Sequence, residues 1–197
     1  MGFLSRESPE EKFWKWFAAN APRFASAQPD ERLIAEIGDW IEKAAPGVVF
    51  EMSVEPVNGF REFIISADGI RDRIPAVQNL VGAAPKIPGW KVIAFRQPKP
   101  GLRLGMGDRS FGPEDLKFRP LPEGEHIGVE VHLPGYREGD EQAMGIAFLL
   151  LDSALGEYVV MTRVGSVTLK PLVAGASDPS LRPLSEVGRL FEAKFGK

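Results

Sequence analysis

The chain has 197 residues, 24 Lys and Arg against 27 Asp and Glu, and no cysteine, so its formal net charge is −3. Hydrophobic residues make up 44% and charged residues 26% of the chain, which is typical of folded globular proteins and disfavours disorder, collagen and coiled coils. This charge balance gives no general attraction to nucleic acid or to an anionic membrane, and the lack of cysteine excludes disulfides, thiolate metal sites and cysteine nucleophiles.

The N-terminal residues have no apolar stretch of signal-peptide length, since Arg6 and Glu7 follow within the first seven positions. The longest nearly uncharged run, residues 143–151, is about half of the ~20 residues that span a bilayer. We therefore expect a soluble cytoplasmic protein of bacterial type that does not contact a membrane.

The first predicted element is a helix over about residues 9–20. Ser8 and Glu11 have the spacing of a capping box, and Pro9 suits the first helical position. The helix carries a dense aromatic group that either packs the core or presents a partner-binding surface, for which Trp14 and Trp16 are the candidates.

A second amphipathic helix starts at Pro29-Asp30-Glu31 and is stopped by Ala45-Pro46-Gly47. About eight residues separate it from the first helix, which is typical of a helical hairpin.

A β-hairpin follows the two helices. Residues 48–54 alternate between apolar and polar, Asn58-Gly59 suits a tight turn with positive φ, and residues 60–66 form the returning strand. A helix comes next, with Pro75 in its first turn, and contains the apolar residues Ile74, Val77, Leu80, Val81 and Ala84.

Residues 90–97 predict a third strand, apolar on both faces and therefore near the centre of the sheet. Residues 98–124 are rich in Gly and Pro and predict an irregular insert with short edge strands at 102–106 and 115–119. Residues 126–133 predict the fourth strand.

A buried helix is expected over residues 140–154, capped by Gly156. Residues 158–162 and 164–172 predict a fifth and a sixth strand. Residues 173–183 have linker composition, and residues 184–195 predict a final amphipathic helix.

This order lacks steady strand-helix alternation and predicts an α+β fold, a two-layer and mostly antiparallel mixed sheet packed by helices. We expect one domain over residues 1–197, with the helical hairpin in 1–46, the sheet in 47–172, and the linker and last helix in 173–197. The two β-containing halves suggest a degenerate duplication, although their residues do not match.

Four segments, FWKWF (13–17), FIISADG (63–69), PGWKVIAFR (88–96) and LLLDSALGEY (149–158), together resemble a family of uncharacterised bacterial proteins. The resemblance spans most of the chain. It implies a fold shared among bacterial cytosolic proteins and supplies no catalytic residues.

His126, Glu130 and His132 share one face of the fourth strand, which raises the hypothesis of a metal site. At about 3.3 Å per residue the two histidines lie about 20 Å apart, too far to share one ion. A solvated strand face is favoured, and we predict no metal and no cofactor.

Local catalytic motifs are missing from the sequence. It contains no Gly-x-Ser-x-Gly elbow, and the glycines of residues 101–107 lack the Lys-Ser/Thr of a phosphate loop.

The candidates for a ligand pocket are polar residues at the ends of buried elements: Asp68, Arg96, Asp152, Glu157 and Arg163. Asp152 interrupts an apolar helix, so its carboxylate must face solvent or find a cation such as Arg96 or Arg163. The alternative for Asp152 and Glu157 is a structural ion pair, and for Asp68 a helix cap.

Lys91, Arg96, Lys99 and Arg103 form a local basic run around a proline turn, but few aromatic residues accompany them, so nucleic-acid binding is disfavoured. We expect a non-enzymatic protein-binding module with an adaptor, regulatory or immunity-like role. The alternative is a small-molecule-binding protein or enzyme that uses the Asp/Glu/Arg pocket, and a homodimer stays open.

Overall fold

The structure is a computed structural model that describes residues 7–24, 31–99, 101–173, 175 and 178–196. The chain divides into two compact units, residues 1–95 and 96–197. Among the described strands, four pairs are antiparallel and two are parallel. The predicted α+β class with mostly antiparallel mixed sheets is confirmed, and the single domain stays a prediction.

The first unit contains three helices and a three-stranded sheet of order β1-β2-β3. Its elements are α1 (Pro9–Phe24), α2 (Glu31–Ala44), β1 (Val49–Met52), β2 (Arg61–Ser66), α3 (Ile74–Gly82) and β3 (Trp90–Ala94), with a 3-10 turn at Arg71–Arg73.

The capping box at the start of α1 is confirmed. The Glu11 N–H donates to Ser8 Oγ at 3.2 Å, and the Ser8 N–H donates to Glu11 Oε2 at 2.8 Å. The helix runs past the predicted end to Phe24 and includes Pro22.

The predicted helical hairpin is confirmed by contacts between α1 and α2. Trp16 stacks on Trp40 with ring centroids 5.1 Å apart, and Arg23 pairs with Glu36 at 2.9 Å. The predicted start of α2 at Pro29 and Asp30 lies outside the described residues.

The β1–β2 hairpin is confirmed, with Val49 opposite Ser66 and Met52 opposite Phe63. Asn58 and Gly59 at its turn have φ of 52° and 84°, as the Asn-Gly signal requires.

The predicted central position of the third strand is wrong. β3 pairs only with β2, in parallel, and forms an edge of the sheet, while β2 is central. Its Trp90 packs on Phe17 of α1 and on Phe63 of β2.

Aromatic rings form the core of the first unit around Phe63 on β2. The Phe63 ring lies 4.6 Å from Phe17, 6.0 Å from Trp14 and 6.3 Å from Phe13, centroid to centroid. The aromatic face of α1 therefore packs on the sheet and fixes the register of the helix against it.

The second unit contains a four-stranded sheet of order β8-β7-β6-β9 and a separate two-stranded sheet, β4-β5. Its strands are β4 (Leu104–Met106), β5 (Arg109–Phe111), β6 (Lys117–Glu123), β7 (His126–Pro134), β8 (Val164–Leu172) and β9 (Arg182–Pro183), and its helices are α4 (Glu141–Leu155), α5 (Glu157–Arg163) and α6 (Val187–Phe195). A 3-10 turn at Leu184–Glu186 leads into α6.

Two predictions for the second unit need correction. Residues 158–162 are not a strand but part of α5. This helix begins directly after Gly156, and the Val160 N–H donates to the Gly156 carbonyl oxygen at 3.1 Å. The second short edge strand, expected at 115–119, is a seven-residue strand of the main sheet, β6, despite Pro120 and Pro122. Beyond Phe118 this strand has β7 as its only partner, and an open edge tolerates proline.

The same order of connections occurs in both units. An antiparallel hairpin is followed by helix and then by a strand parallel to the second hairpin strand: β1-β2-α3-β3 in one, and β6-β7-α4-α5-β8 in the other.

No single helix in the described part of the chain is long and apolar enough to cross a membrane. The consecutive helices α4 and α5 pass the same length and composition test only when joined, across a bend of 103°.

Candidate functional site

Three of the predicted site residues, Arg96, Asp152 and Glu157, lie together in the second unit. The Arg96 N–H donates to Glu157 Oε2 at 2.9 Å, and the Glu157 N–H donates to the Arg96 carbonyl oxygen at 2.9 Å. Arg96 Nη1 lies 3.7 Å from Asp152 Oδ2. Arg96 is thus one of the two cations that the sequence offered for Asp152, and it contacts both carboxylate residues.

Glu157 is positioned by the corner between α4 and α5. Gly156 ends α4 with φ of 85°, and its N–H donates to the Asp152 carbonyl oxygen at 2.7 Å. A Cβ at position 156 would also lie 3.0 Å from Pro98 Cδ, so glycine allows residues 96–99 to pass closely.

The same segment is bonded further along the chain. The Lys99 N–H donates to the Ser153 carbonyl oxygen at 2.8 Å, and Ser153 Oγ donates to the Lys99 carbonyl oxygen at 3.3 Å. The Glu157 side chain is fully buried, with 0% exposure. These bonds hold residues 96–99 against the corner between α4 and α5. The Glu157 carboxylate therefore has a structural role.

The other two pocket candidates are Arg163 and Asp68. Arg163 lies over the Phe195 ring at 5.0 Å and has no ion pair with Asp152 among the described contacts. Asp68 belongs to the first unit, where its N–H donates to Ser66 Oγ at 2.9 Å in a turn with φ of 54°. It is not the N-cap of the following turn, a position held by Ile70.

The partner-surface expectation for Trp14 is corrected. Trp14 is 1% exposed, and its indole N–H donates to the Leu80 carbonyl oxygen of α3 at 2.6 Å, so it is a core residue. Trp16 is half-buried in its stack on Trp40.

An apolar groove of about 500 Å³ lies in the first unit, between the tip of the β1–β2 hairpin and the chain that links α3 to β3. Pockets of this size are within the range that holds small ligands or side chains. Phe60 stands at its mouth with 48% of its surface exposed. The lining residues are Phe60, Val81, Ala84, Pro85, Lys86, Ile87, Pro88, Gly89, Trp90 and Val92.

The groove lies beside the open edge of β3. The Gly89 carbonyl oxygen accepts from the Arg61 N–H at 2.9 Å, and the Phe95 N–H donates to the Ile65 carbonyl oxygen at 2.7 Å. Since alternate residues of a strand bond to the same neighbour, the N–H and C=O of Val92 point away from β2. Within the residues that the structure describes, Val92 therefore offers an unpaired backbone donor and acceptor next to the groove.

Lys86 is the one charged residue of the groove lining. It is exposed and has no hydrogen bond or ion pair within the described part of the chain. The sequence did not predict this groove. Its signals were the turn at residues 57–60, which has an apolar residue at each end, and the two closely spaced prolines Pro85 and Pro88.

The polar face of β7 is a side-chain network rather than a metal site. His132 Nε2 lies 2.8 Å from Glu130 Oε1, and Arg119 lies 3.7 Å from Glu130 and 2.6 Å from Asp178. No group of three or more metal-ligating side chains occurs among the residues that the structure describes. Hydrogen bonds from Ser180, with smaller contributions from Arg119 and His132, lower the pKa of Asp178.

Glu123, at the other end of this face, accepts hydrogen bonds from the hydroxyl and the N–H of Ser166, which lower its pKa. A Cβ at Gly128 or Gly165 would collide with this carboxylate, so the two glycines leave it room to reach Ser166.

The predicted basic run is largely neutralised. Lys91 pairs with Glu62 at 3.5 Å, and Arg103 pairs with Glu114 and with Asp115, the latter at 2.7 Å. A hydrogen bond from the Gly112 N–H, followed by the bond and charge of Arg103, lowers the pKa of Asp115.

No protein-family model, no curated protein and no solved structure matches the chain. The resemblance to a bacterial family stays a prediction.

Proposed function

We propose that this protein is a non-enzymatic binding module that takes an extended, apolar segment of a partner protein into the groove beside β3. The observation that carries the proposal is the position of an apolar groove directly beside an unpaired strand edge, with Val92 belonging to both.

Main-chain pairing would supply part of the affinity. An extended peptide that adds to a sheet edge bonds through its backbone and places alternate side chains in pockets on one face. Trp90 and Val92 are two residues apart on β3, and both line the groove. A peptide paired along this edge would therefore place every second side chain in the groove.

Charge defines the chemistry of the segment further. Because Lys86 is the single charge in an otherwise uncharged lining, the best complement is an apolar side chain with a carboxylate close by, on an Asp or Glu or at a chain terminus. This gives the partner class as an extended apolar peptide with one acidic group.

The proposal keeps the adaptor, regulatory or immunity-like role expected from the sequence. The small-molecule alternative at Arg96, Asp152 and Glu157 has less support, because these groups bond to one another and to backbone atoms. A bacterial cytosolic setting stays part of the proposal.

The test is selection of linear peptides from a random display library on the full chain, followed by fluorescence-polarisation titration of the selected peptides. We expect selected sequences to alternate apolar residues and to carry an acidic group. Phe60→Ala should weaken their binding at least tenfold.

The matched control is Ile34→Ala on α2, because Ile34 is also an exposed apolar residue of the first unit, at 39%. It should leave the affinity within twofold. N-methylation of the selected peptide at every second residue should abolish binding in one of the two registers. Equal effects of the two variants, or full tolerance of N-methylation in both registers, would refute the proposal.

An open strand edge can also pair with a second copy of the chain. Light scattering at the assay concentration separates this case: a dimer that dissociates on Phe60→Ala, with no peptide selected, would replace the peptide proposal with a homodimer.

A further inference from the structure

The four-stranded sheet of the second unit carries a row of basic side chains that the proposed function does not use. Lys117 on β6 lies opposite His132 on β7, and His132 lies opposite Lys170 on β8. Directly paired residues of neighbouring strands share one face, so the three side chains stand side by side on the polar face of the sheet. We call them the basic row.

The acidic groups nearest to the row are already engaged. Glu130 binds His132 at 2.8 Å and lies 3.7 Å from Arg119, and Asp178 pairs with Arg119 at 2.6 Å and accepts from Ser180. The carboxylates of Glu130 and Asp178 are therefore already paired with Arg119 and His132.

The two lysines have no such counter-charge. Neither Lys117 nor Lys170 has a hydrogen bond or an ion pair in the part of the chain that the structure describes. Their ammonium groups are therefore available to an anion at this face of the sheet.

The spacing suits a single small anion. Neighbouring strands lie about 4.8 Å apart, so the Cα atoms of the two lysines are about 10 Å apart, with the imidazole between them. Lysine side chains are long enough to bring both ammonium groups onto one ion above His132, as lysines do at phosphate sites.

We propose that the basic row is a binding site for one phosphate-type oxyanion, either free phosphate or a phosphate monoester on a larger molecule. Lys117 and Lys170 would bind its oxygens from two sides, and His132 would form the base of the site, oriented by Glu130. This site is independent of the β3 groove, which belongs to the first unit.

The chain has only two histidines, so proton NMR of the imidazole C–H signals reports on the site directly. Inorganic phosphate is titrated into the full chain at constant ionic strength, with chloride as the comparison anion. The signals of His132 should shift in a saturable manner with phosphate and not with chloride, while those of His126, at the far end of β7, should stay in place. His126→Gln assigns the two sets of signals.

The double variant Lys117→Gln/Lys170→Gln should weaken phosphate binding at least tenfold. Lys12→Gln/Lys15→Gln removes the same charge from exposed positions of α1 and should change the affinity less than twofold. Equal losses in the two double variants, or a chloride response equal to that of phosphate, would overturn the proposal as a general effect of net charge.

A parallel titration with O-phosphoserine distinguishes the two sources. Binding as tight as that of inorganic phosphate assigns the site to a phosphate monoester, whereas binding of inorganic phosphate alone assigns it to the free ion. If neither ion moves the His132 signals, the basic row is not an anion site.

Discussion

Arg96 and Glu157 hold each other through two opposed hydrogen bonds: the Arg96 N–H donates to the Glu157 carboxylate and the Glu157 N–H donates to the Arg96 carbonyl oxygen, each at 2.9 Å. The two residues are 61 positions apart in sequence. Their contact ties the start of the second unit to the corner between α4 and α5.

Glu157→Ala should lower the free energy of unfolding by about 1–3 kcal/mol, because it leaves the Arg96 N–H without its acceptor in a poorly solvated place. Urea denaturation followed by circular dichroism measures this loss. Glu186→Ala is the control: its pair with Arg182 is exposed and should contribute less than about 1 kcal/mol. Equal losses in both variants would show that the Glu157 carboxylate is not structural.

Two glycine substitutions should change stability in opposite directions. Gly59→Ala places a Cβ at φ of 84° in the β1–β2 turn and should destabilise the protein by about 1–2 kcal/mol. Gly38→Ala lies inside α2 with no atom within 4 Å of the new Cβ and should stabilise it by up to about 1 kcal/mol. Thermal or urea unfolding of both variants tests this, and a stabilising Gly59→Ala would contradict the turn geometry.

Acid should remove a contribution of Glu123 to stability. Its pKa is lowered in the folded chain, chiefly by the Ser166 hydroxyl, so the carboxylate stabilises the fold above the ordinary glutamate pKa of about 4.3. This stability is lost as the pH falls through the lowered folded value. Carbon-detected NMR of the carboxyl group should show that value, and Ser166→Ala should raise it toward the ordinary one.

Ser180→Ala is the matched control for this titration. It removes the hydroxyl that lowers the pKa of Asp178 and should raise that pKa while leaving Glu123 unchanged. A Glu123 titration that is the same with and without the Ser166 hydroxyl would refute the assigned cause.

Sequence signals for helix caps and turns were reliable where the residues that form them are close together in the chain. The Ser8/Glu11 capping box, the Asn58-Gly59 turn and the end of α4 at Gly156 all form as predicted. Each involves residues within a few positions of one another, so their geometry follows from backbone conformation and side-chain type.

The sequence by itself determined the α+β class, most of the helices and the β1–β2 hairpin, because these follow from periodicity, caps and turn chemistry. It left the Asp152 carboxylate open between solvent and a cation such as Arg96 or Arg163. Only the tertiary structure decided that residues 158–162 are helical, that β3 is an edge strand and that Trp14 is buried. The groove beside Val92 and the row of Lys117, His132 and Lys170 also arise only there, since strand order and register depend on contacts between residues far apart in sequence.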